Sequence, residues 1–193
     1  NQQAGRRVLD KVSVFTAASE TFSRKNTNAS IEETIERFRP VVARAKANSL
    51  LVRGYVSCVI ACPFEGAISP QSVASVSRRL ADLGVDEISL GDTIGAGTPD
   101  TVVAMLDAVR AALPCEWTSD DLKLNLHLHD TFGRASECVV AALNAGIRSF
   151  DASVAGLGGC PYASAPGKPA PGNIDTTLLV RTIRDRGWCG PRA

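Results

Sequence analysis

Two histidines, which are the only ones among the 193 residues, are separated by a single position. His127 and His129 lie in a stretch, residues 123–129, in which polar and apolar residues alternate. Because successive side chains of a strand point to opposite faces, both imidazoles are expected on one face. Two parallel imidazoles followed by a carboxylate, Asp130, suit a divalent metal ion with open coordination positions. The alternative is a pair of hydrogen-bonded structural histidines.

Other polar residues follow the neighbouring predicted strands. Asp92, in Gly-Asp-Thr, is a candidate base, a support for a metal ligand, or a cap that anchors the next loop. The glycine-rich segment 156–162 has the backbone freedom to approach a ligand closely. We expect Cys160 to be exposed there, as an acid or base on a lid, with a small turn residue as the alternative. Asn173 could cap the last helix or offer its amide oxygen to a hard metal ion.

Alternating strands and helices must position these residues. The pattern predicts strands at residues 11–16, 51–59, 87–90, 122–128 and 149–153, and helices at about 30–48, 70–83, 98–113, 134–144 and 176–186. Five such β/α units are typical of part of a (β/α) barrel. The alternative, an open doubly wound sheet, is disfavoured because no G-x-G-x-x-G follows the first strand. The polar column on the histidine strand also favours a barrel, since a parallel strand buried on both faces is apolar throughout.

Composition and charge exclude several functional classes. The 21 basic and 20 acidic residues leave a net charge of +1, which indicates neither a nucleic-acid-binding surface nor a disordered tail. No apolar run approaches the roughly 20 residues of a membrane span, and no signal peptide is evident. We therefore expect no nucleic-acid or membrane partner.

The cysteines are expected to be reduced. Their number and the absence of a secretory signal favour thiols over a disulfide framework. The spacing of Cys58 and Cys62 is poor for a zinc knuckle, and no second pair completes a zinc site. Cys138 lies in an apolar helical stretch and is expected in the core. The remaining cysteines are Cys115, Cys160 and Cys189.

Five motifs follow one another along nearly the whole chain. They are VRGYVSCV (52–59), CPFEG (62–66), EISLGDTIGAGTP (87–99), HLHDTFG (127–133) and DASVAGLGGCPYA (151–163). In sequence and order they resemble the motifs of the 3-hydroxy-3-methylglutaryl-CoA lyase family, in the DRE-TIM metallolyase superfamily. Related synthases typically carry H-x-H-N-D and a Glu-Arg loop, and this chain carries neither. The resemblance implies a (β/α)8 TIM barrel, of which residues 1–193 form a partial catalytic domain with the fourth to eighth strands.

The resemblance also implies an activity and a metal. The family is a group of metal-dependent lyases that cleave 3-hydroxy-3-methylglutaryl-CoA to acetyl-CoA and acetoacetate by a retro-Claisen reaction, in leucine degradation and ketogenesis. His127, His129 and Asn173 match its metal ligands, with Mg²⁺ or Mn²⁺ as the ion. The implied partners are an acyl-CoA substrate and, at full length, a second copy in a homodimer. The implied location is the mitochondrial matrix in a eukaryote or the cytoplasm in a bacterium.

Further positions match the family's catalytic and lid residues. Cys160 matches its catalytic cysteine, and Asp92 matches an aspartate near the substrate. The positions that match substrate-contacting and lid residues are Thr93, Gly156, Gly158 and Gly159.

The chain also departs from the family's pattern. The D-R-E-type motif of the first barrel strand, with its arginine and aspartate, is not found, and we expect an N-terminally incomplete barrel. Residues 164–171 form a longer, proline-rich stretch than the family has, and residues 117–121 are slightly extended. Two alternatives follow: a non-catalytic fragment or degenerate paralogue that binds a metal or partner, and an aldolase of the same superfamily acting on another substrate.

Overall fold

A five-stranded, wholly parallel sheet forms the centre of the structure. The computed structural model describes residues 9–118, 123–161 and 172–187. In chain order the strands are β1 (Lys11–Ala17), β2 (Leu51–Ser57), β3 (Ala61–Cys62), β4 (Gly66–Ala67), β5 (Glu87–Asp92), β6 (Leu124–Leu128) and β7 (Ser149–Asp151). The helices are α1 (Glu20–Thr27), α2 (Ile31–Ala47), α3 (Pro70–Leu83), α4 (Pro99–Ala112), α5 (Cys115–Thr118), α6 (Ala135–Asn144) and α7 (Thr176–Asp185).

The order of the strands identifies the type of sheet. The order is β1-β2-β5-β6-β7, with β3 and β4 paired separately as a short antiparallel ribbon. Each new strand is added on the same side of the last, whereas a doubly wound sheet reverses direction at a switch point. Sequential addition with intervening helices is the topology of a TIM barrel. The predicted α/β barrel-type fold is confirmed, and the five strands do not close into a complete barrel.

Local sequence signals account for the helices. Ser30 and Glu33 form a capping box at the start of α2, as predicted. Ser69 caps α3, Pro70 is its first residue, and Gly84 ends it in a left-handed conformation. These bonds satisfy backbone groups that a helix cannot pair internally, which fixes where each helix begins and ends.

The two faces of the sheet differ in character. One face is apolar, packs under the helices and is buried at Val52, Val56, Ile88, Leu90, Leu124, Leu126 and Leu128. The other carries polar side chains, and on it Arg53 of β2 is bonded to Asp151 of β7. Those strands lie three positions apart in the sheet, and side chains stand roughly perpendicular to it. The two groups can meet only because the sheet curls around its polar face.

Several elements differ from the sequence-based expectation. Helices α1 and α5 and the β3–β4 ribbon are not predicted, because these short segments bury too few side chains to show a periodic pattern. The second strand ends at Ser57 and not at Val59, since Cys58 adopts a left-handed φ of 59°. The last strand ends at Asp151, while β5 extends two residues further, to Asp92.

Some predicted features cannot be compared. The proline-rich stretch 164–171, Cys189 and residues 119–121 of the extended loop lie outside the described residues.

Among the described helices, none combines the length and apolar character that crossing a bilayer requires.

Candidate metal centre

The two histidines lie side by side where β6 ends. Their ring centroids are 5.3 Å apart, with an angle of 62° between the ring planes. Leu124, Leu126 and Leu128 are buried on the opposite, helix-facing side, so the predicted alternation of β6 is confirmed. The carboxyl ends of parallel strands are where ligands bind in barrels, and this is where both imidazoles stand.

Asn173 is brought to the histidines by backbone pairing. It forms an antiparallel bridge with His129, and the amide of Ile174 donates to the carbonyl of Leu128 at 3.0 Å. The Asn173 Nδ2 group donates to the carbonyl of Leu157 at 3.0 Å. The interpretation of Asn173 as a helix cap is wrong, because Asp175 caps α7 by accepting from the amide of Leu178.

Unpaired polar atoms collect at this point of the structure. In the described part of the chain, five buried side-chain nitrogen or oxygen atoms have no hydrogen-bond partner. Three of them are His127 Nδ1, His129 Nδ1 and Asn173 Oδ1. Buried polar atoms are nearly always paired. His127 Nδ1 faces the Asp151 carboxylate at 3.4 Å, whereas the unpaired His129 Nδ1 and Asn173 Oδ1 suit a ligand at this point.

The electrostatics of His129 suit metal binding. Burial, and next the neighbouring His127, lower its pKa to about 4, against the opposing effects of the Thr93 carbonyl and the Asn173 side chain. His129 is therefore neutral at pH 7 and has a lone pair available. Among the described residues, no three His, Cys, Asp or Glu side chains form a metal-binding group, and the unpaired oxygen beside the two imidazoles is that of the Asn173 amide. Two imidazoles and an amide oxygen fit a divalent cation with positions left for substrate.

Asp92 points away from the histidines. Its carboxylate accepts from the amides of Ala96, at 3.1 Å, and Gly97, at 2.7 Å. Burial raises the pKa of Asp92, although these loop amides oppose the shift. Its charge also helps raise the pKa of the buried Cys138 thiol to about 11, an effect second to the burial of that thiol. The structure thus places Asp92 on the helix-facing side as an anchor of the β5–α4 loop, and its predicted catalytic role stays a prediction.

Thr93, the next residue, lies on the same side of the sheet as the histidines. Its hydroxyl accepts from the amide of Cys58 at 2.7 Å, which joins the ends of β2 and β5. It is buried beside His129, on whose pKa its carbonyl acts. Thr93 therefore lies beside the candidate metal site.

The glycine-rich loop is docked against the Asn173 segment. The amide of Asn173 donates to the carbonyl of Gly158 at 3.3 Å. A Cβ atom on Gly172 would overlap that same carbonyl oxygen, so only glycine permits this approach. Gly156 and Gly158 both have a positive φ, and Gly159 is exposed. The loop therefore lies against the segment that pairs with His129, and its role as a lid stays a prediction.

Cys160 is less accessible than the sequence predicts. It is partly buried and packs against a small cluster that contains Cys58 and Cys62. The expectation of an exposed thiol is wrong, because the loop folds back onto the segment that follows β2. Burial raises the pKa of Cys58, and the nearby Cys62 and Cys160 thiols add to the shift. The predicted core position of Cys138 is confirmed.

A network of polar side chains lies beneath the histidines and was not predicted from the sequence. Arg53 donates from Nε to Glu87 at 2.7 Å and from Nη1 to Asp151 at 2.9 Å. Glu87 is also paired with Lys11. The sequence does contain a pattern that indicates these residues. Alternate residues of β2, β5 and β7 face the polar side of the sheet, as they do on β6, and they include Arg53, Glu87 and Asp151.

These pairs determine the charges of both carboxylates. Burial alone would raise the pKa of Glu87, but hydrogen bonds from Lys11 and Arg53 outweigh it and lower the pKa. Burial likewise opposes the shift at Asp151, where contacts with His127 and Arg53 prevail and lower the pKa. Both groups are therefore ionised at neutral pH, and Arg53 joins β2 to β5 and β7.

Comparisons with known proteins agree with this geometry. The family model described as HMGL-like matches residues 2–191. The hydroxymethylglutaryl-CoA lyase of Pseudomonas mevalonii is 51% identical over 97% of this chain, which spans 58% of that protein. The mitochondrial hydroxymethylglutaryl-CoA lyase of Arabidopsis thaliana is 49% identical over 92% of the chain, which spans 36% of it. The relatives thus include bacterial and mitochondrial proteins, and the chain covers only part of each.

Solved structures show the same relation. The HMG-CoA lyase of Brucella melitensis superimposes with a TM-score of 0.84 at 52% identity, covering 92% of this chain and 59% of that one. An HMG-CoA lyase from Acinetobacter baumannii, in complex with coenzyme A and 3-methylmalate, gives a TM-score of 0.81 at 33% identity, over 93% of this chain and 55% of that one.

The contact between the β5–α4 loop and the histidine segment predicts different effects at two glycines. Gly95 and Gly133 both have a positive φ, but a Cβ on Gly95 would lie 2.9 Å from the carbonyl of His129, whereas one on Gly133 meets nothing within 4 Å. Gly133→Ala should lower the free energy of unfolding by about 1–2 kcal/mol from backbone strain, and Gly95→Ala by clearly more. Urea denaturation measures both, and equal losses would contradict the packing described here.

The Arg53 network predicts a pH-dependent stability. Because the pKa values of Glu87 and Asp151 are lowered in the folded state, their contribution is complete above their ordinary values of about 4. It is lost as the pH falls through the folded-state values. Arg53→Gln should reduce the free energy of unfolding by on the order of 2 kcal/mol at neutral pH, and this deficit should shrink below about pH 4.

Arg78 provides the matched control, because it pairs with the exposed Asp82. Arg78→Gln should cost less than about 1 kcal/mol with little pH dependence. Urea denaturation at a series of pH values measures these changes. A deficit in Arg53→Gln that stays constant down to pH 3 would count against the network.

Proposed function

Since this chain belongs to the HMGL-like family, we propose that the protein carrying it is a lyase that cleaves 3-hydroxy-3-methylglutaryl-CoA to acetyl-CoA and acetoacetate. The observation that carries this proposal is the convergence of His127, His129 and Asn173 at the carboxyl end of the sheet, with buried polar atoms left unpaired. The names of the relatives support the substrate class, as does the coenzyme A bound in one related structure.

The proposed metal ligands are His127, His129 and Asn173. Mg²⁺ or Mn²⁺, when bound, supplies Lewis acidity that lowers the pKa of a substrate hydroxyl. The neutral state of His129 leaves its lone pair free for this purpose. Asn173 is positioned through its bond to Leu157, since the donated Nδ2 proton leaves Oδ1 available.

The reaction requires two proton movements. The tertiary hydroxyl of the substrate passes its proton to water as the C–C bond breaks, which yields the keto group of acetoacetate, and water later returns a proton to the thiolate of the proton donor. The electron pair of that bond passes to the acetyl-CoA enolate, which must gain a proton. We infer that Cys160 delivers that proton, because its loop is fastened to Asn173 and its partly buried thiol packs near Cys58, whose amide donates to Thr93 beside His129.

The remaining predicted residues support the site in this proposal. Gly156, Gly158 and Gly159 allow the lid to lie over substrate, and Thr93 lines the site beside His129. Asp92 acts indirectly: its carboxylate holds the β5–α4 loop in place by accepting hydrogen bonds from backbone amides. Each of these roles is a proposal about the bound state.

The wider setting is also proposed. The strands β1, β2, β5, β6 and β7 would be the fourth to eighth strands of an eight-stranded barrel, with residues 1–193 forming part of that catalytic domain. The natural protein would take an acyl-CoA substrate and assemble as a homodimer. It would act in leucine degradation and ketogenesis, in the mitochondrial matrix of a eukaryote or the cytoplasm of a bacterium.

Acetoacetate release tests the proposal. The natural protein that carries these residues should release acetoacetate from 3-hydroxy-3-methylglutaryl-CoA with Mg²⁺ or Mn²⁺ present. Cys160→Ser should lower kcat by about 10²-fold or more, as expected for loss of a proton donor, while Mn²⁺ affinity stays unchanged. Cys115→Ser is the matched control, because Cys115 is exposed on α5, away from the site, and its rate should not change.

Two results would contradict the proposed function. Cleavage of a different 3-hydroxyacyl thioester, with none of this substrate, would favour another aldolase of the superfamily. Mn²⁺ binding without cleavage of either substrate would favour a non-catalytic paralogue.

A further inference from the structure

The structure assigns Asp151 as a positioning residue that fixes the ring orientation and the tautomer of His127. This inference rests on the proposed metal site, and it adds a residue that the sequence motifs do not single out for this role. The assignment follows from backbone register, from the fixed position of the carboxylate and from the contrast between the two histidines.

Backbone pairing places Asp151 next to His127. The two residues are register partners in the parallel pair of β6 and β7. Asp151 Oδ2 lies 3.4 Å from His127 Nδ1, the nitrogen that has no hydrogen bond. This separation is longer than the 2.7–3.2 Å of a formed N–H···O bond. Such bonds often tighten only when a site is filled, so a carboxylate is in place for the ring nitrogen to engage.

The carboxylate of Asp151 is held in place by Arg53. Asp151 Oδ1 accepts from Arg53 Nη1 at 2.9 Å. Oδ2 lies 3.3 Å from the Ser89 hydroxyl, whose single proton has a nearer acceptor in Asn125 Oδ1 at 2.7 Å. Arg53 is itself fixed by Glu87, and its side chain is only 16% exposed. Rotating Asp151 away from the histidine would break its bond to Arg53 in a partly buried setting. Asp151 therefore acts as a rigid acceptor.

A rigid acceptor at Nδ1 determines what the other side of the ring presents. When Nδ1–H donates to a carboxylate, the neutral imidazole carries its lone pair on Nε2. Such carboxylate–histidine pairs orient metal-binding imidazoles and raise their basicity. Without the acceptor, the other tautomer and a flipped ring become accessible, and fewer molecules are ready to bind an ion.

The neighbouring histidine is fixed by other means. His129 is more deeply buried than His127, and Thr93 is buried beside it. His129 also forms the backbone bridge to Asn173. A change at Asp151 should therefore disturb His127 selectively.

Direct Mn²⁺ binding, followed by electron paramagnetic resonance of the free ion, tests this role without relying on activity. In the natural protein, Asp151→Asn should weaken Mn²⁺ binding about 10- to 100-fold, the usual effect of losing such a partner. Asp86→Asn is the matched control, because the Asp86 side chain is similarly buried, is paired with Lys46, and has no contact with Arg53 or His127 in the described structure. This control should bind Mn²⁺ nearly as well as the unaltered protein.

A second measurement needs no variant. With only two histidines in the sequence, ¹⁵N chemical shifts can identify the tautomer of each ring. We expect His127 to carry its proton on Nδ1. A proton on Nε2, or equal Mn²⁺ affinities in Asp151→Asn and Asp86→Asn, would overturn the role of Asp151 while leaving the proposed lyase intact. Failure of the unaltered protein to bind Mn²⁺ would overturn both.

Discussion

The pairing of polar groups on the concave face of the sheet is the constraint on which the rest of the structure depends. Helices cover the apolar face, so each strand turns its alternate residues toward a partly enclosed polar interior. Partly buried charges there are costly unless they are bonded. Arg53 meets this requirement by binding carboxylates on two other strands. The bond to Asp151, which lies on a strand three positions away, requires the sheet to curl, and this brings the carboxyl ends of β5, β6 and β7 together.

The polar face changes character along the strands. Near their amino ends the side chains satisfy one another, as Lys11, Glu87 and Arg53 do. At the carboxyl end of β6, His129 Nδ1 and Asn173 Oδ1 remain without partners although they are buried. The polar side chains near the amino ends of the strands are thus paired with one another, whereas His129 Nδ1 and Asn173 Oδ1 at the carboxyl end of β6 are not. Unpaired buried nitrogen and oxygen atoms at that end are suited to bind a cation. Asp151 lies between the two regions and connects them.

Much of this arrangement was predictable from the sequence, because it depends on short-range rules. Ser30, Ser69 and Gly84 mark helix ends through local hydrogen bonds and glycine conformation. The alternation over residues 123–129 placed both imidazoles on the same face. The remainder depends on contacts between distant segments. Whether Asn173 caps a helix was decided by its pairing with His129, and the burial of Cys160 depends on how its loop packs against the segment after β2.

The direction of Asp92 illustrates the same limit. Its type and position after a strand suit a base, a metal support or a loop anchor equally well. The choice depends on the phase of β5, which turns Ser89 and Gly91 toward the histidine face and Asp92 toward the helices. The Arg53 network, by contrast, follows from the alternation of side chains along β2, β5 and β7, which places Arg53, Glu87 and Asp151 on the polar face.

Anomalous diffraction from crystals of the natural protein grown with Mn²⁺ tests the central claim most directly. The account predicts one strong anomalous peak at the carboxyl end of β6, within coordination distance of a nitrogen of His127, a nitrogen of His129 and Oδ1 of Asn173. A peak at other residues, or an Asn173 side chain turned away from the ion, would contradict it.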